Sequence, residues 1–279
     1  MKRVLIICYY WPPAGGSAVQ RWLRFVRHLP GTGWMPTVYT AENGEYPVLD
    51  PALERLVPKN VEVLRRPIWE PYALYRRSLA GGAADVKVHP GFLDEKNSVP
   101  NWKKGLGRWI RGNFFVPDAR RFWIRPSVRY LTDHLRSSPV DVIISSGPPH
   151  SLHLIAHALH KRTSIPWIAD FRDPWTTMDY YRELHLTRWA DRRHHRLEER
   201  VVKEASAVVV VGPVMKKEFE DKYGRHVDVI TNGFDTTEAA LGAVALDPKF
   251  TLVHVGGLLK NRNPYSLWKA LGELVRNEP

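Results

Sequence analysis

Three short clusters in this sequence place chemistry-bearing residues directly behind apolar runs. In Ala169-Asp170-Phe171-Arg172-Asp173-Pro174-Trp175 two carboxylates flank an arginine. Group transfer to a hydroxyl needs a base for the hydroxyl proton and donors for a departing diphosphate, and a carboxylate beside a cation meets both needs. Asp173, Asp170 and Arg172 are therefore the candidate catalytic residues. A structural Arg–Asp pair closing the turn before Pro174 is the competing reading. In Pro12-Pro13-Ala14-Gly15-Gly16-Ser17 the glycines permit positive φ and close approach, so backbone N–H groups and a helix start can face a phosphate or a sugar. Gly15, Gly16 and Ser17 are the candidates there, against a plain tight turn. In Ser145-Ser146-Gly147-Pro148-Pro149-His150-Ser151, His150 is either a ligand contact or a helix-start residue satisfied by local backbone. The spacing Gly-x-Gly-x-x-Gly and a Gly-Lys-Ser/Thr ending are both missing, so neither a dehydrogenase nor a P-loop nucleotidase is supported.

The elements that must position these clusters can be read from apolar periodicity. Arg3 to Tyr10 is a continuous apolar run, as expected of a strand buried on both faces, and Ala18 to Leu29 has helical spacing with Ser17 as its N-cap. Strands are expected again at Met35 to Thr40, Val61 to Leu64, Val140 to Ser145, Pro166 to Phe171, Ala207 to Val211 and Val227 to Thr231. Helices are expected at Pro126 to Arg136, Ser151 to Lys161, Arg188 to Ala205 and Val214 to Tyr223. This rhythm predicts an α/β fold with a Rossmann-like parallel sheet, in which ligands bind at the carboxyl ends of strands. Gly15, Gly16, His150 and Asp173 are accordingly expected to converge on one cleft.

With 44% hydrophobic residues in 279, the chain has material for a large core. Its net charge of +12 points to an anionic partner. The single cysteine, Cys8, supports neither a disulfide framework nor a cysteine-based zinc site. The apolar run after Met1-Lys2-Arg3 is too short for a signal peptide, and no stretch approaches about 18 apolar residues. The expected setting is the cytoplasm. From Pro67 to Pro126 no period is sustained, which reads as an insertion rather than core. Within Asn101 to Arg129, Trp102, Trp109 and Trp123 are interleaved with Lys103, Lys104, Arg108, Arg111 and other basic residues. That pattern fits a peripheral contact with an anionic membrane, single-stranded nucleic acid, or aromatics packed on the domain under solvated arginines. Adjacent His194 and His195 do not share a helical face and read as part of a charged surface.

Asn232-Gly233-Phe234-Asp235 is a turn signal, and the domain boundary is placed there, with 1–235 ahead of it and 236–279 after. Phe250 to Val255 then reads as a strand, Gly256-Gly257 as a second glycine turn, and Ser266 to Val275 as a helix.

Taken together the strand-end motifs resemble the family 4 retaining glycosyltransferases of the two-domain GT-B fold. The resemblance rests on Pro12-Pro13-Ala14-Gly15-Gly16, Ser146-Gly147-Pro148-Pro149-His150, Ala169 to Trp175, and Thr231-Asn232-Gly233-Phe234-Asp235. Its most specific element is Val255-Gly256-Gly257-Leu258-Leu259-Lys260-Asn261-Arg262-Asn263-Pro264, which is similar to the family's donor-phosphate loop. The resemblance implies that Gly256, Gly257, Lys260 and Arg262 meet the donor phosphates, with Arg262 in place of the usual lysine. Gly257 replaces an arginine, and Arg172 stands where many members have a histidine. It further implies a nucleotide-sugar donor, retention of configuration, no cofactor or bound metal, and a glycan or lipid-linked acceptor of cell-envelope or exopolysaccharide assembly. The family's later donor-holding glutamates have no counterpart before Pro279, so 1–235 is expected to be the acceptor-side domain, 236–279 an incomplete donor side, and this chain alone poorly active. A basic α/β nucleic-acid-binding protein without catalysis is the alternative, although no nucleic-acid module pattern is present.

Overall fold

A computed structural model describes residues 1–70, 101–178, 181–234, 245, 247–255 and 263–277. The chain divides into two compact units, Met1–Gly233 and Phe234–Pro279. The first holds a seven-stranded, wholly parallel sheet: β1 (Lys2–Ile7), β2 (Trp34–Ala41), β3 (Glu62–Arg66), β4 (Val142–Gly147), β5 (Trp167–Phe171), β6 (Ala207–Val210) and β7 (Asp228–Val229). The strand order is β3-β2-β1-β4-β5-β6-β7. This is the Rossmann-like α/β architecture that the sequence rhythm predicts.

The double-faced burial of β1 follows from its uninterrupted apolar residues. Leu5 and Ile7 enter one core layer, and Val4 and Ile6 enter the other. The first layer is completed by α3 (Ile124–Ser137), α4 (Ser151–Thr163), α5 (Arg188–Glu204) and α6 (Pro213–Tyr223), through residues such as Leu131, Ile155, Val201 and Phe219. The second is completed by α1 (Ser17–His28), through Val19, Trp22, Leu23 and Val26. Each such side chain withdrawn fully from water contributes about 1.5–3 kcal/mol, which makes this sheet the rigid platform for the loops at its carboxyl edge.

Several expectations are corrected. The cap of α1 is Gly16 (φ 84°, ψ −179°), not Ser17, and no side chain bonds the helix start. Residues 71–100 of the expected insertion lie outside the described residues. The remainder is structured: α2 (Asn101–Phe114) is helical, and Trp123 is buried in the core, stacked on Tyr39 with centroids 4.9 Å apart. Glycines had concealed this helix, but Gly112 is there for close approach. A Cβ on it would lie 2.5 Å from Leu186 Cδ2 and 3.0 Å from Leu184 Cβ. β7 is shorter than predicted because the Ile230 and Thr231 carbonyls accept hydrogen bonds from Arg21 Nη1.

In the second unit α7 (Tyr265–Asn277) forms where a helix is expected. Phe250 to Val255 forms no strand, and its residues are exposed. A β ladder needs a partner, and none is present for it among the described residues of that unit. No helix among the described residues is long and apolar enough to cross a membrane.

Candidate functional site

Between β1 and β4 the strand order reverses direction, so the loops that follow these strands part and leave a crevice at the carboxyl edge. β5 lies beside β4, and its following loop forms the third side. Arg172, the first residue after β5, ties all three loops together. Its backbone N–H donates to the Gly147 carbonyl at 2.9 Å, Nη1 donates to the Ala18 carbonyl at 3.1 Å, and Nη2 donates to the Pro148 carbonyl. The guanidinium also lies 5.6 Å from the centre of the Tyr10 ring. Burial pushes its pKa below the ordinary arginine range, while Asp170 and Asp173 oppose that shift. Arg172 therefore acts as a clamp between loops.

Next to the clamp is a cavity of about 230 Å³. One wall is aromatic: His150 stacks on Trp175 with centroids 4.5 Å apart and planes 2° apart, and Tyr10, Phe115 and Tyr181 also line the space. The polar wall carries Asp173, Asp118, Arg111, Arg120 and His194. Asp173 is exposed and the first carboxylate after the clamp, so its oxygens are accessible to a ligand in the cavity.

The histidines of this region are held neutral. Burial, then the nearby His153, His194 and Arg172, lower the His150 pKa well below 6.5. Burial likewise lowers His194. Trp175 Nε1–H donates to His194 Nδ1 at 3.1 Å, which leaves the proton of the neutral imidazole on Nε2. Behind them His153, with a pKa lowered to about 3 by burial, pairs through Nδ1 with Ser145 Oγ at 2.8 Å. Gly147 is required beneath these rings: a Cβ there would collide with His153 Nε2 and lie 3.0 Å from His150 Nδ1.

The structure separates residues that adjacency in sequence had grouped. Asp170 is 1% exposed and saturated. It accepts from Arg21 Nη2 at 2.8 Å, Trp22 Nε1 at 3.0 Å and Ser146 Oγ at 2.8 Å. No lone pair remains for a substrate, so the structure gives Asp170 a structural role in place of the expected catalytic one. The structural ion pair weighed for this segment exists, but its arginine is Arg21, 149 positions away, and not the adjacent Arg172. Gly15 is also occupied: its N–H donates to the Val48 carbonyl at 2.8 Å, and an added Cβ would meet Asp50 Cβ and Val48 Cγ1 at 3.1 Å. Gly16 and Ser17 are exposed at the uncapped start of α1, where helix amides lack intrahelical partners. They do not line the cavity; the hydrogen bond from Arg172 to the Ala18 carbonyl joins the adjoining start of α1 to the loops around it. The helix start after His150 is closed by Asp118, which accepts from Ser151 N at 2.9 Å and Ser151 Oγ at 2.8 Å. Gly256, Gly257, Lys260 and Arg262 lie outside the described residues.

Other supports were missed from sequence. Glu70 is 8% exposed, forms an ion pair with Arg120 Nε at 2.6 Å and accepts from Tyr9 Oη at 2.9 Å. Arg120 thus reaches the cavity wall with its charge already matched. Buried Glu198 accepts from Thr176 Oγ1, Lys222 Nζ at 2.8 Å and Tyr223 Oη at 2.7 Å, fixing the loop that carries Trp175. His194 is 3% exposed and not on a charged surface. The signal was present, because Ala190, His194, Glu198 and Val201 recur at helical spacing and are all buried. Among the described residues no group of three or more His, Cys, Asp or Glu side chains could hold a metal ion.

Residues 15–233 match the family model of the glycosyl transferase 4-like domain. The chain is similar in structure to a glycosyltransferase from Rickettsia africae ESF-5, at 12% identity and a TM-score of 0.43, covering 98% of this chain and 49% of that one. It is also similar to Phytolacca americana UGT2 complexed with UDP-2fluoro-glucose and pterostilbene, at 12% identity and a TM-score of 0.44, covering 83% and 54%. The chain spans about half the length of these solved structures. No curated protein matches it significantly.

Proposed function

The chain belongs to the glycosyl transferase 4-like domain family, and from that premise we propose that residues 1–235 are the acceptor side, and 236–279 the opening of the donor side, of a nucleotide-sugar-dependent GT-B glycosyltransferase. The observation that carries this reading is the cavity at the strand-order reversal, where flat aromatic walls meet the exposed carboxylate of Asp173. Aromatic faces pack against the C–H face of a saccharide ring, and neutral imidazoles and the nearby arginines offer hydrogen bonds to its hydroxyls. For retention the hydroxyl attacks the anomeric carbon on the face from which the diphosphate departs, forming the new C–O bond as the C–O bond to phosphate breaks. Asp173 relays the hydroxyl proton to the departing phosphate oxygen, a contribution of about a hundredfold to ten-thousandfold in rate. Arg172 holds the three loops in register, and Gly16 with Ser17 presents the open start of α1 towards negative charge on the substrate.

The finer assignments follow the motif resemblance. They are family 4 membership with retention of configuration, a nucleotide-diphosphate sugar held by Gly256, Gly257, Lys260 and Arg262, and no cofactor. The acceptor is a glycan or lipid-linked molecule of cell-envelope or exopolysaccharide assembly, met at the cytoplasmic face of an anionic membrane. The net charge of +12 supports a negatively charged partner of this kind.

The test is transfer of labelled sugar from UDP-, GDP- and dTDP-linked donors to a membrane-lipid extract, by this chain joined to a complete donor half. Product with a retained anomeric centre from one donor class supports the reading. Absence of transfer from every donor, in a folded protein that binds nucleotide sugar, overturns it.

A further inference from the structure

The exposed aromatic rings of the first unit are joined into one surface assembled from elements distant in sequence. Trp69, 55% exposed, packs edge-on against Phe122 at 4.9 Å, and Trp109 packs against Phe114 at 5.7 Å. Arg121 links these pairs: its guanidinium lies 5.5 Å from the Phe122 ring centre, and its Nη1 donates to the Phe114 carbonyl at 2.5 Å. The same guanidinium is pushed below the ordinary arginine range by its own burial and then by Arg193, so α5 is close by. There Arg193 lies 5.2 Å from the ring centre of Trp189, which is 61% exposed. Neither Arg121 nor Arg193 has a carboxylate partner among the described residues, and Arg188, Arg192 and Arg196 extend the same charge along α5. Two guanidiniums, each set against an exposed aromatic ring and without a carboxylate partner among the described residues, form a surface that anions complete, and the rings supply the apolar contact.

We propose that this surface docks the domain on an anionic lipid bilayer, with the Trp and Phe rings at headgroup level and the guanidiniums against lipid phosphates. The segments that build it also build the cavity, through Gly112, Phe115 and Arg120 on one side and His194 on the other. Docking therefore brings the cavity to the headgroups and deepens the transferase reading: the acceptor is an amphiphile whose polar head enters from the bilayer. Trp189 and Arg193, outside the stretch singled out from composition, are part of the contact. Rings seated in the interface resist salt, whereas the arginine contribution is screened.

The experiment is co-sedimentation of the chain, without any sugar donor, with vesicles of phosphatidylcholine alone and of phosphatidylcholine mixed with phosphatidylglycerol, at low and high salt. Binding is expected to the mixed vesicles, falling about fivefold for each arginine removed in Arg121→Ser and Arg193→Ser. The pair Trp189→Ser and Phe122→Ser should reduce the part that survives high salt. Arg193→Gln, on an exposed helix surface, gives the same reading without touching the Phe114 contact. Docking is overturned by equal binding to both vesicle types, by equal binding of parent and variants, or by tighter binding to a single-stranded oligonucleotide. Because no transfer is measured, such a failure leaves the transferase reading standing. A loss of transfer with vesicle binding intact would strike that reading alone.

Discussion

Arg21 on α1 and Asp170 on β5 form an ion pair at 2.8 Å in which both side chains are 2% exposed. The remaining donors of Arg21 reach the Ile230 and Thr231 carbonyls and Asn232 Oδ1, so one guanidinium fastens α1, the end of β5 and the chain leaving the sheet. A charge taken out of water is tolerated only when its partner and hydrogen bonds are complete. Arg21→Ala leaves Asp170 buried with two donors, Trp22 and Ser146, and is expected to cost about 3–5 kcal/mol of stability. Urea unfolding measures this, and a loss under about 1 kcal/mol would show the pair to be dispensable.

Acid should destabilise the domain through its buried imidazoles. His153 is neutral when folded, with a pKa of about 3, against 6.5 when free. The unfolded chain therefore binds more protons between these values, and stability rises with pH across the window. It is fully present above about pH 6.5 and is lost as pH falls towards about 3, by up to about 1.4 kcal/mol per pH unit for each such group. Unfolding free energies of wild type and His153→Asn over this range should show a shallower slope in the variant; identical slopes would mean that folding leaves the His153 pKa unshifted.

Gly147→Ala tests the packing beneath the cavity. The added methyl meets the His153 ring and His150 Nδ1, both of which are enclosed. Overpacking of this kind costs about 1–3 kcal/mol, and the His150 ring is expected to move off Trp175. Unchanged stability and Trp fluorescence would show that the loop yields freely.

The fold was legible because β1, β4, β5 and β6 are apolar runs that need cover on both faces, and α1 and α4 show their buried face in their spacing. That His150 and Asp173 would share one cavity was legible for a related reason: both follow strands of the sheet at its carboxyl edge, beside the reversal of strand order. Long-range polar pairing was not legible. Nothing near Asp170 in sequence announces Arg21, and nothing near Tyr9 announces Glu70 and Arg120. Such partners are chosen by the packed fold, not by the local chain. α2 was hidden for another reason, since its Gly112 lowers helix propensity but admits the 184–186 segment.

The most direct measurement is transfer of labelled sugar to acceptor by the chain joined to a complete donor half, comparing wild type with Asp173→Asn. Asp173 is exposed, so the substitution should leave unfolding free energy within about 0.5 kcal/mol of wild type. Transfer is predicted to fall by about a hundredfold to ten-thousandfold while donor binding stays unchanged. Undiminished transfer by Asp173→Asn would contradict both the role of this carboxylate and the assignment of the cavity as the acceptor site.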